Sequence, residues 1–281
     1  MPAILSIQSA VAYGHVGNSA AVFPLQRLGF EVWPVDTVQF SNHLGYGAYR
    51  GTVFPAESVR EIIRGIEERG VLPGCAAVLS GYLGDPALGA VVLDAVARVK
   101  SANPAALWCC DPVIGDAGIG IYVRPGIAAF FRDQALPAAD IVTPNLFEAE
   151  YLTGLTIEGP DAALAACAVL RARGPGIVLM TSLPTGEGQI GMLASDAEGS
   201  WLVETPLLPL TPSGTGDTVA ALFLAHCLGG ADLAGALEAT AASIHAVLRV
   251  TVETGAPEIA LIAAQDALVA PPMRFPVRRI G

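Results

Sequence analysis

Apolar positions recur along this 281-residue chain in two alternating patterns, and each pattern predicts a different element. Short, mainly apolar runs read as buried strands: Ala3–Gln8, Ala76–Leu79, Ala106–Cys110, Asp140–Val142 and Ile177–Met180. Between them lie stretches with helical spacing. In Ser58–Arg69, Val59, Ile62, Ile63 and Ile66 share one face, and Arg60, Glu61, Arg64, Glu67 and Glu68 lie largely opposite. Helices are also predicted at Ala20–Leu28, Ala87–Lys100, Asp161–Arg173 and Val219–Leu228, and over 233–250 and 258–269. Pro24 should kink the first helix or delay its start. Val32–Val35 and Thr37–Phe40 are further strands, and Pro34 makes the former an edge or broken strand. Gln189–Ala194 and Ser200–Glu204 flank a turn and predict a hairpin. The polar, glycine-rich Ser41–Gly51 reads as a lid or binding loop, because long irregular loops are usually functional. Strand and helix alternate over most of the length. That predicts an α/β fold with a mostly parallel sheet covered by helices on both faces. No internal repeat or low-complexity linker divides residues 1–281, so one domain is expected.

The charge balance narrows the function. A net charge of −11 argues against a nucleic-acid surface, which needs a basic patch. A nucleotide substrate stays open, because a helix N-terminus and a metal ion can hold phosphates locally. The first residues lack the basic and apolar regions of a signal peptide. No continuous apolar run approaches the roughly 18 residues of a membrane span. Cys75, Cys109, Cys110, Cys167 and Cys227 are scattered and show no zinc spacing, which suits a reduced, cytoplasmic protein.

The candidate chemistry centres on Ser213-Gly-Thr-Gly-Asp-Thr-Val219. Gly214 and Gly216 flank Thr215, so the backbone can turn sharply and bring N–H groups close to a ligand. The helix that follows points unpaired N–H groups and the positive end of its dipole at that turn, a candidate anion site. Asp217 beside it either takes a proton from an attacking alcohol or only caps the helix. Other phosphate motifs are missing. The sole lysine, Lys100, has no glycine loop before it, and Gly14-His-Val-Gly17 has the wrong spacing for a dinucleotide fingerprint. Ligands of parallel sheets bind beyond the strands' C-terminal ends. Polar groups fall there: Gln8-Ser9, Ser80-Gly81-Tyr82, Asp111, Thr143 with Asn145, and Thr181-Ser182. Asp111 and Glu148 could hold Mg²⁺, directly or through water, while it bridges ATP phosphates. Each also has an ordinary reading, a turn residue before proline and a first-turn helix acid.

Seven segments together resemble the pyridoxal kinases of the ribokinase superfamily. They are Ser6-Ile-Gln-Ser9, Gly14-His-Val-Gly-Asn-Ser-Ala20, Val38-Gln-Phe-Ser-Asn-His43, Ser80-Gly-Tyr-Leu-Gly84, Asp111-Pro-Val-Ile-Gly115, Thr143-Pro-Asn-Leu-Phe-Glu148 and Gly214-Thr-Gly-Asp217. They stand in the family's order and span nearly the whole chain. The resemblance implies a ribokinase-like fold and ATP-dependent phosphorylation of the 5′-hydroxyl of pyridoxal, with pyridoxine and pyridoxamine as further substrates. It implies that Asp217 is the base and that the N–H groups of Gly214, Thr215 and Gly216 stabilise the transferred phosphoryl. It puts Asp111 and Glu148 at the metal and Thr143, Asn145, Thr181 and Ser182 on the ATP side. Ser9, His43, Leu44, Gly45 and Tyr82 become the ring pocket. It also implies a homodimer using Mg²⁺, often with a potassium-type ion. Two departures stand out. Many family members carry Thr where this chain has Leu44, and the Asp116–Tyr122 stretch is shorter than in animal relatives. The rival readings are a hydroxymethylpyrimidine kinase and a non-catalytic vitamin B6 binding protein.

Overall fold

The computed structural model describes residues 2–210 and 212–281. In chain order the elements are β1 (Ala3–Val11), α1 (Asn18–Arg27), β2 (Glu31–Phe40), β3 (Gly51–Val53), α2 (Ala56–Glu68), β4 (Cys75–Ser80), α3 (Leu88–Ala102), β5 (Leu107–Cys110), β6 (Gly115–Asp116) and β7 (Gly120–Ile121). Next, α4 (Ile127–Phe130) passes through a π-helical turn into α5 (Leu136–Ala138). The chain ends with β8 (Ile141–Val142), α6 (Leu146–Thr153), α7 (Gly159–Arg171), β9 (Ile177–Gly186), β10 (Gln189–Ser195), β11 (Ser200–Pro206), α8 (Thr215–Leu228), α9 (Leu233–Thr254), α10 (Gln265–Val269) and β12 (Val277–Arg279).

One ten-stranded sheet runs β12-β11-β10-β9-β8-β5-β4-β1-β2-β3. The neighbours from β2 through β1, β4, β5 and β8 to β9 are parallel, and β3 and β10 to β12 add antiparallel edges. Successive side chains of a strand point to opposite faces, so each buried strand feeds two cores. Leu5, Ile7, Val78, Trp108, Cys110, Val178 and Met180 pack with residues of α2, α3, α6 and α7. Ile4, Ala77, Leu79, Cys109 and Leu179 pack with residues of α1, α8 and α9. This two-sided burial is why the strands read as continuous apolar runs. By length and composition α9 could cross a bilayer. Its Leu237, Ala241, Ile244 and Val247 are instead buried in the second core, beside α8, β10 and β11, and that packing accounts for their apolarity.

Several boundaries differ from the sequence expectation, each for a local reason. α1 begins at Asn18 and runs through Pro24, because the carbonyl of Gly17 takes the amides of Ala20 and Ala21 and fixes the start. The two segments around Pro34 form one strand, β2. Pro34 pairs only with β1, at Ser6, while β3 covers only Val38 to Phe40 on the other side. The missing N–H of Pro34 therefore faces an open edge. The helix expected over 258–269 shrinks to α10, since Ala260 N–H bonds Thr251 Oγ1 instead of a helical carbonyl. The elements between 115 and 138, and β12, are too short to leave a periodic signal.

Candidate active site

The C-terminal ends of β1, β4, β5 and β8 converge near the start of α8. The chain passes from β1 outward to β2, then back across to β4, so the winding reverses between β1 and β4. Crevices at such reversals are where parallel sheets bind ligands. Gly214 caps α8 with φ of 86°, a left-handed conformation that disfavours a side chain. A Cβ there would also overlap the carbonyl oxygen of His15. Gly216 differs: its φ is ordinary and the space beside it is open. Among the described residues the amides of Gly214, Thr215 and Gly216 have no hydrogen-bond partner, as at the start of any helix. Thr215 turns its hydroxyl to the Pro212 carbonyl at 2.8 Å, leaving its backbone N–H as the group that can meet an anion. Burial pushes the Asp217 carboxyl above the ordinary aspartate range, while the backbone N–H of Gly17 and its own N–H pull it back toward the charged form. An ionisable carboxylate with a raised proton affinity suits a base better than a plain cap.

Two further carboxylates stand nearby. Asp111, buried at the end of β5, accepts from Thr143 Oγ1 at 2.8 Å. Its carboxyl is pushed up to about 7, first by burial and then by the negative charge of Asp217, with the Thr143 hydrogen bond opposing both. Glu148 lies buried in the first turn of α6. Its Oε1 accepts from Ile114 N–H and its Oε2 from Asn145 N–H, each at 2.9 Å. Burial and Asp111 hold it well above the glutamate range. No basic side chain figures among the groups acting on these three acids.

The residues expected on the ATP side have mixed positions. Asn145 caps α6: its Oδ1 accepts from Glu148 N–H and its Nδ2 donates to Gly115 O, both at 2.9 Å. Its side chain is committed to shaping the site. Thr143 is tied to Asp111. Thr181 bridges to Asn145, which brings β9 to the same edge. Ser182 has φ of 59°, the one positive value among the described non-glycine residues. The β9–β10 register shifts beside it, so Ser182 sits in a bulge. Strain and bulges of this kind concentrate at ligand sites.

On the other side, Ser9 is buried with its hydroxyl against Gly17. Tyr82 is held by its carbonyl, which accepts from Thr37 Oγ1 at 2.7 Å. Leu44 packs with Val16 and Tyr82 on a small apolar cluster of Val11, Val38 and Phe40, a surface suited to the face of an aromatic ring. Gly45 lies beside Ser213 and so joins this segment to the glycine turn. His43 does not point free: its Nδ1 accepts from Gly45 N–H at 3.2 Å and its Nε2 donates to Glu258 at 3.1 Å.

Three nearby residues were given no site role in the sequence reading. Gly17 supplies the amide on Asp217. Tyr122, partly open to solvent, has its hydroxyl raised by desolvation and by the negative charges of Glu148, Asp217 and Asp111, so it stands within electrostatic range of the carboxylates. Glu258 gathers hydrogen bonds from three groups. Its only signal was a lone carboxylate in the apolar stretch Ala256-Pro-Glu-Ile-Ala-Leu.

Fold and site together define a ribokinase-like phosphotransferase: a mostly parallel sheet, a glycine turn at a helix mouth, and an aspartate beside it. A family model described as phosphomethylpyrimidine kinase matches residues 46–260. A pyridoxal kinase PdxY of Rubrobacter xylanophilus is 62% identical over 282 residues, covering 99% of this chain and 97% of that protein. One of Leifsonia xyli is 52% identical, covering 99% of each. The pyridoxal kinase of Leishmania donovani in complex with ADP and pyridoxamine superposes with a TM-score of 0.94 at 28% identity, covering 100% of both chains. The chain belongs to the pyridoxal kinase family.

Proposed function

We propose that the protein transfers the terminal phosphoryl of ATP to the 5′-hydroxyl of pyridoxal, giving pyridoxal 5′-phosphate, with pyridoxine and pyridoxamine as further substrates. The observation that carries this is Asp217 at the mouth of α8, its carboxylate met by the Gly17 amide and flanked by the amides of the Gly214 turn, which have no partner among the described residues. Asp217 takes the proton of the substrate hydroxyl as the oxygen attacks phosphorus. Its raised proton affinity favours that step, and the two amides keep enough of it ionised to begin. The amides of Gly214, Thr215 and Gly216 stabilise charge on the transferred group. Phosphoryl transfer depends on such positioning and electrostatics more than on covalent chemistry. The cluster of Leu44, Val16, Phe40 and Tyr82 supports a ring-binding face, and the family resemblance adds Ser9, His43 and Gly45 to it. Thr143, Asn145, Thr181 and Ser182 form the ATP side of the same reading.

The residues fit a magnesium ion. Burial raises the proton affinity of Asp111 and Glu148, Asp217 adds to it at Asp111 and Asp111 adds to it at Glu148, with no basic neighbour; a divalent cation would relieve that repulsion. Asp111 Oδ2 has no protein donor among the described residues, so Asp111 would be the carboxylate free to hold the ion directly. Both Glu148 oxygens already accept from amides, so Glu148 would hold the ion through water. Among the described residues no three His, Cys, Asp or Glu side chains converge on one point. That suits an ion that keeps its waters and leans on the phosphates. The ion neutralises phosphate charge when bound. The family resemblance extends the reading to a potassium-type ion and a homodimer, tested by potassium-dependent activity and by mass in solution. Five unpaired cysteines support a reducing, cytoplasmic setting, and the one continuous sheet supports a single domain over 1–281.

The matching family model favours one second reading, a hydroxymethylpyrimidine kinase. The test is a substrate panel: purified protein with ATP and pyridoxal, pyridoxine, pyridoxamine or hydroxymethylpyrimidine. ATP-dependent formation of pyridoxal 5′-phosphate is expected. Phosphorylation of the pyrimidine alone would overturn the first reading, and ATP turnover with neither would overturn both.

A further inference from the structure

We propose that Glu258 is a positioning residue for phosphoryl transfer, its carboxylate tying the His43–Tyr46 segment and the Gly14–Gly17 loop into one unit beside Asp217. This rests on the kinase reading above. Glu258 is 9% exposed and lies between the two loops. Oε1 accepts from Tyr46 Oη at 2.6 Å and from His43 Nε2 at 3.1 Å, and Oε2 accepts from His15 N–H at 3.2 Å. The Tyr46 hydroxyl is raised well above the tyrosine range, chiefly by this hydrogen bond. The carboxylate comes so close to Gly14 that a Cβ there would overlap Oε2, so residue 14 must lack a side chain for the contact to form.

Two of the three contacts lead on to a group at the site. His15 continues into Gly17, whose amide meets Asp217, and the His15 carbonyl packs against Gly214. His43 Nδ1 accepts from Gly45 N–H, so Nε2 carries the proton and donates to Glu258, which fixes the ring in one tautomer. Gly45 in turn lies beside Ser213. A purely structural role fits less well. Glu258 makes no side-chain hydrogen bond to α9 or α10 among the described residues. Its neighbours Ile259 and Leu261, buried in the second core, anchor the segment without it. What the carboxylate adds is the relative placement of two loops, one bordering the ring-binding face and one bordering the base. A displacement of about 1 Å at such a place can cost on the order of a hundredfold in rate.

The test uses full-length wild type, Glu258→Ala, Glu258→Gln and Tyr46→Phe. Steady-state kinetics are measured with whichever alcohol the wild type phosphorylates, alongside amide hydrogen exchange without ligand. Glu258→Ala should lower kcat by about tenfold to a hundredfold with the ATP KM unchanged, and speed exchange over residues 14–17 and 43–47. Glutamine keeps only one oxygen acceptor and turns an N–H₂ toward one set of donors, so Glu258→Gln should fall between. Adding Tyr46→Phe to Glu258→Ala should cost less than Tyr46→Phe costs alone, because the shared contact is already gone. Unchanged kcat and exchange, additive effects, or lowered thermal stability with wild-type kinetics would each overturn the proposal. If Glu258→Ala does not fold, Glu258→Gln and Tyr46→Phe decide between the same outcomes. If the wild type leaves pyridoxal untouched while the exchange changes appear, the substrate assignment fails and the positioning role stands.

Discussion

At the scale of single residues, the site separates groups that meet a ligand from groups that hold those groups. In the proposed mechanism Asp217 belongs to the first kind. Asp217→Asn should retain ATP binding and lose about 10²- to 10⁴-fold in turnover, the usual cost of removing a general base. Near-normal turnover in steady-state assays would remove Asp217 from that role. His43 and Asn145 belong to the second kind, since both ends of each side chain are engaged within the protein. The sequence could place them at the site but could not say what their polar atoms touch, because those partners lie in distant segments. Leu44 is legible in both ways. It packs with Val16 and Tyr82 on the apolar cluster, where a threonine would offer a hydroxyl. Leu44→Thr should therefore shift relative kcat/KM among pyridoxal, pyridoxine and pyridoxamine by about twofold to tenfold, the worth of one neutral hydrogen bond, and leave the ATP KM alone. Identical vitamer ratios in the two proteins would show that the side chain does not read the ring.

The glycine turn is best judged at the scale of elements. In sequence Gly214 and Gly216 look equivalent, two glycines flanking Thr215. In the fold they differ, because the loop after β1 lies against one and open space lies beside the other. Gly214→Ala forces a side chain onto the His15 carbonyl in a left-handed conformation, so both thermal stability and activity should fall. Gly216→Ala should fold with near wild-type melting and still lose activity, since its Cβ enters the space the phosphoryl group would fill. Melting curves paired with kcat for the two variants check this. Equal losses of stability would mean that the turn is only a structural corner. Asn145 and Glu148, three residues apart before an apolar run, form the capping box that starts α6, where the sequence alone marked only a first-turn acid. The same spacing hid a second consequence: a capping glutamate has both oxygens occupied, which leaves Asp111 as the freer carboxylate.

For the whole molecule, the gathering of three acids at one sheet edge has a cost that pH should reveal. Asp111 titrates near 7 in the folded protein, against an ordinary aspartate value when unfolded. Between about pH 4 and 7 the folded state thus binds more protons, and stability falls as pH rises through that window. Asp111→Asn should be more stable than wild type above pH 7, by about 1–4 kcal/mol, with the difference vanishing near pH 4. Denaturant unfolding across pH without added metal checks it, and a pH-independent difference would count against the repulsion. Adding magnesium with ADP should raise the wild-type melting temperature more than that of Asp111→Asn. The local pattern determined much of this protein by itself. Two-sided burial wrote the parallel strands as apolar runs, the helix spacing marked their covers, and seven polar segments in order marked the family. These signals live within a few residues of one another. Tertiary structure alone decided the rest: Gly17 against Asp217, Tyr122 within range of the carboxylates' charge, and Glu258 joined to His15, His43 and Tyr46. Glu258 is more than 200 positions from each of those partners, with separations of 243, 215 and 212 residues. No periodicity or spacing in one chain encodes a contact of that range. It exists only because the sheet order brings the loop after β1, the loop after β2 and the segment after α9 to the same edge.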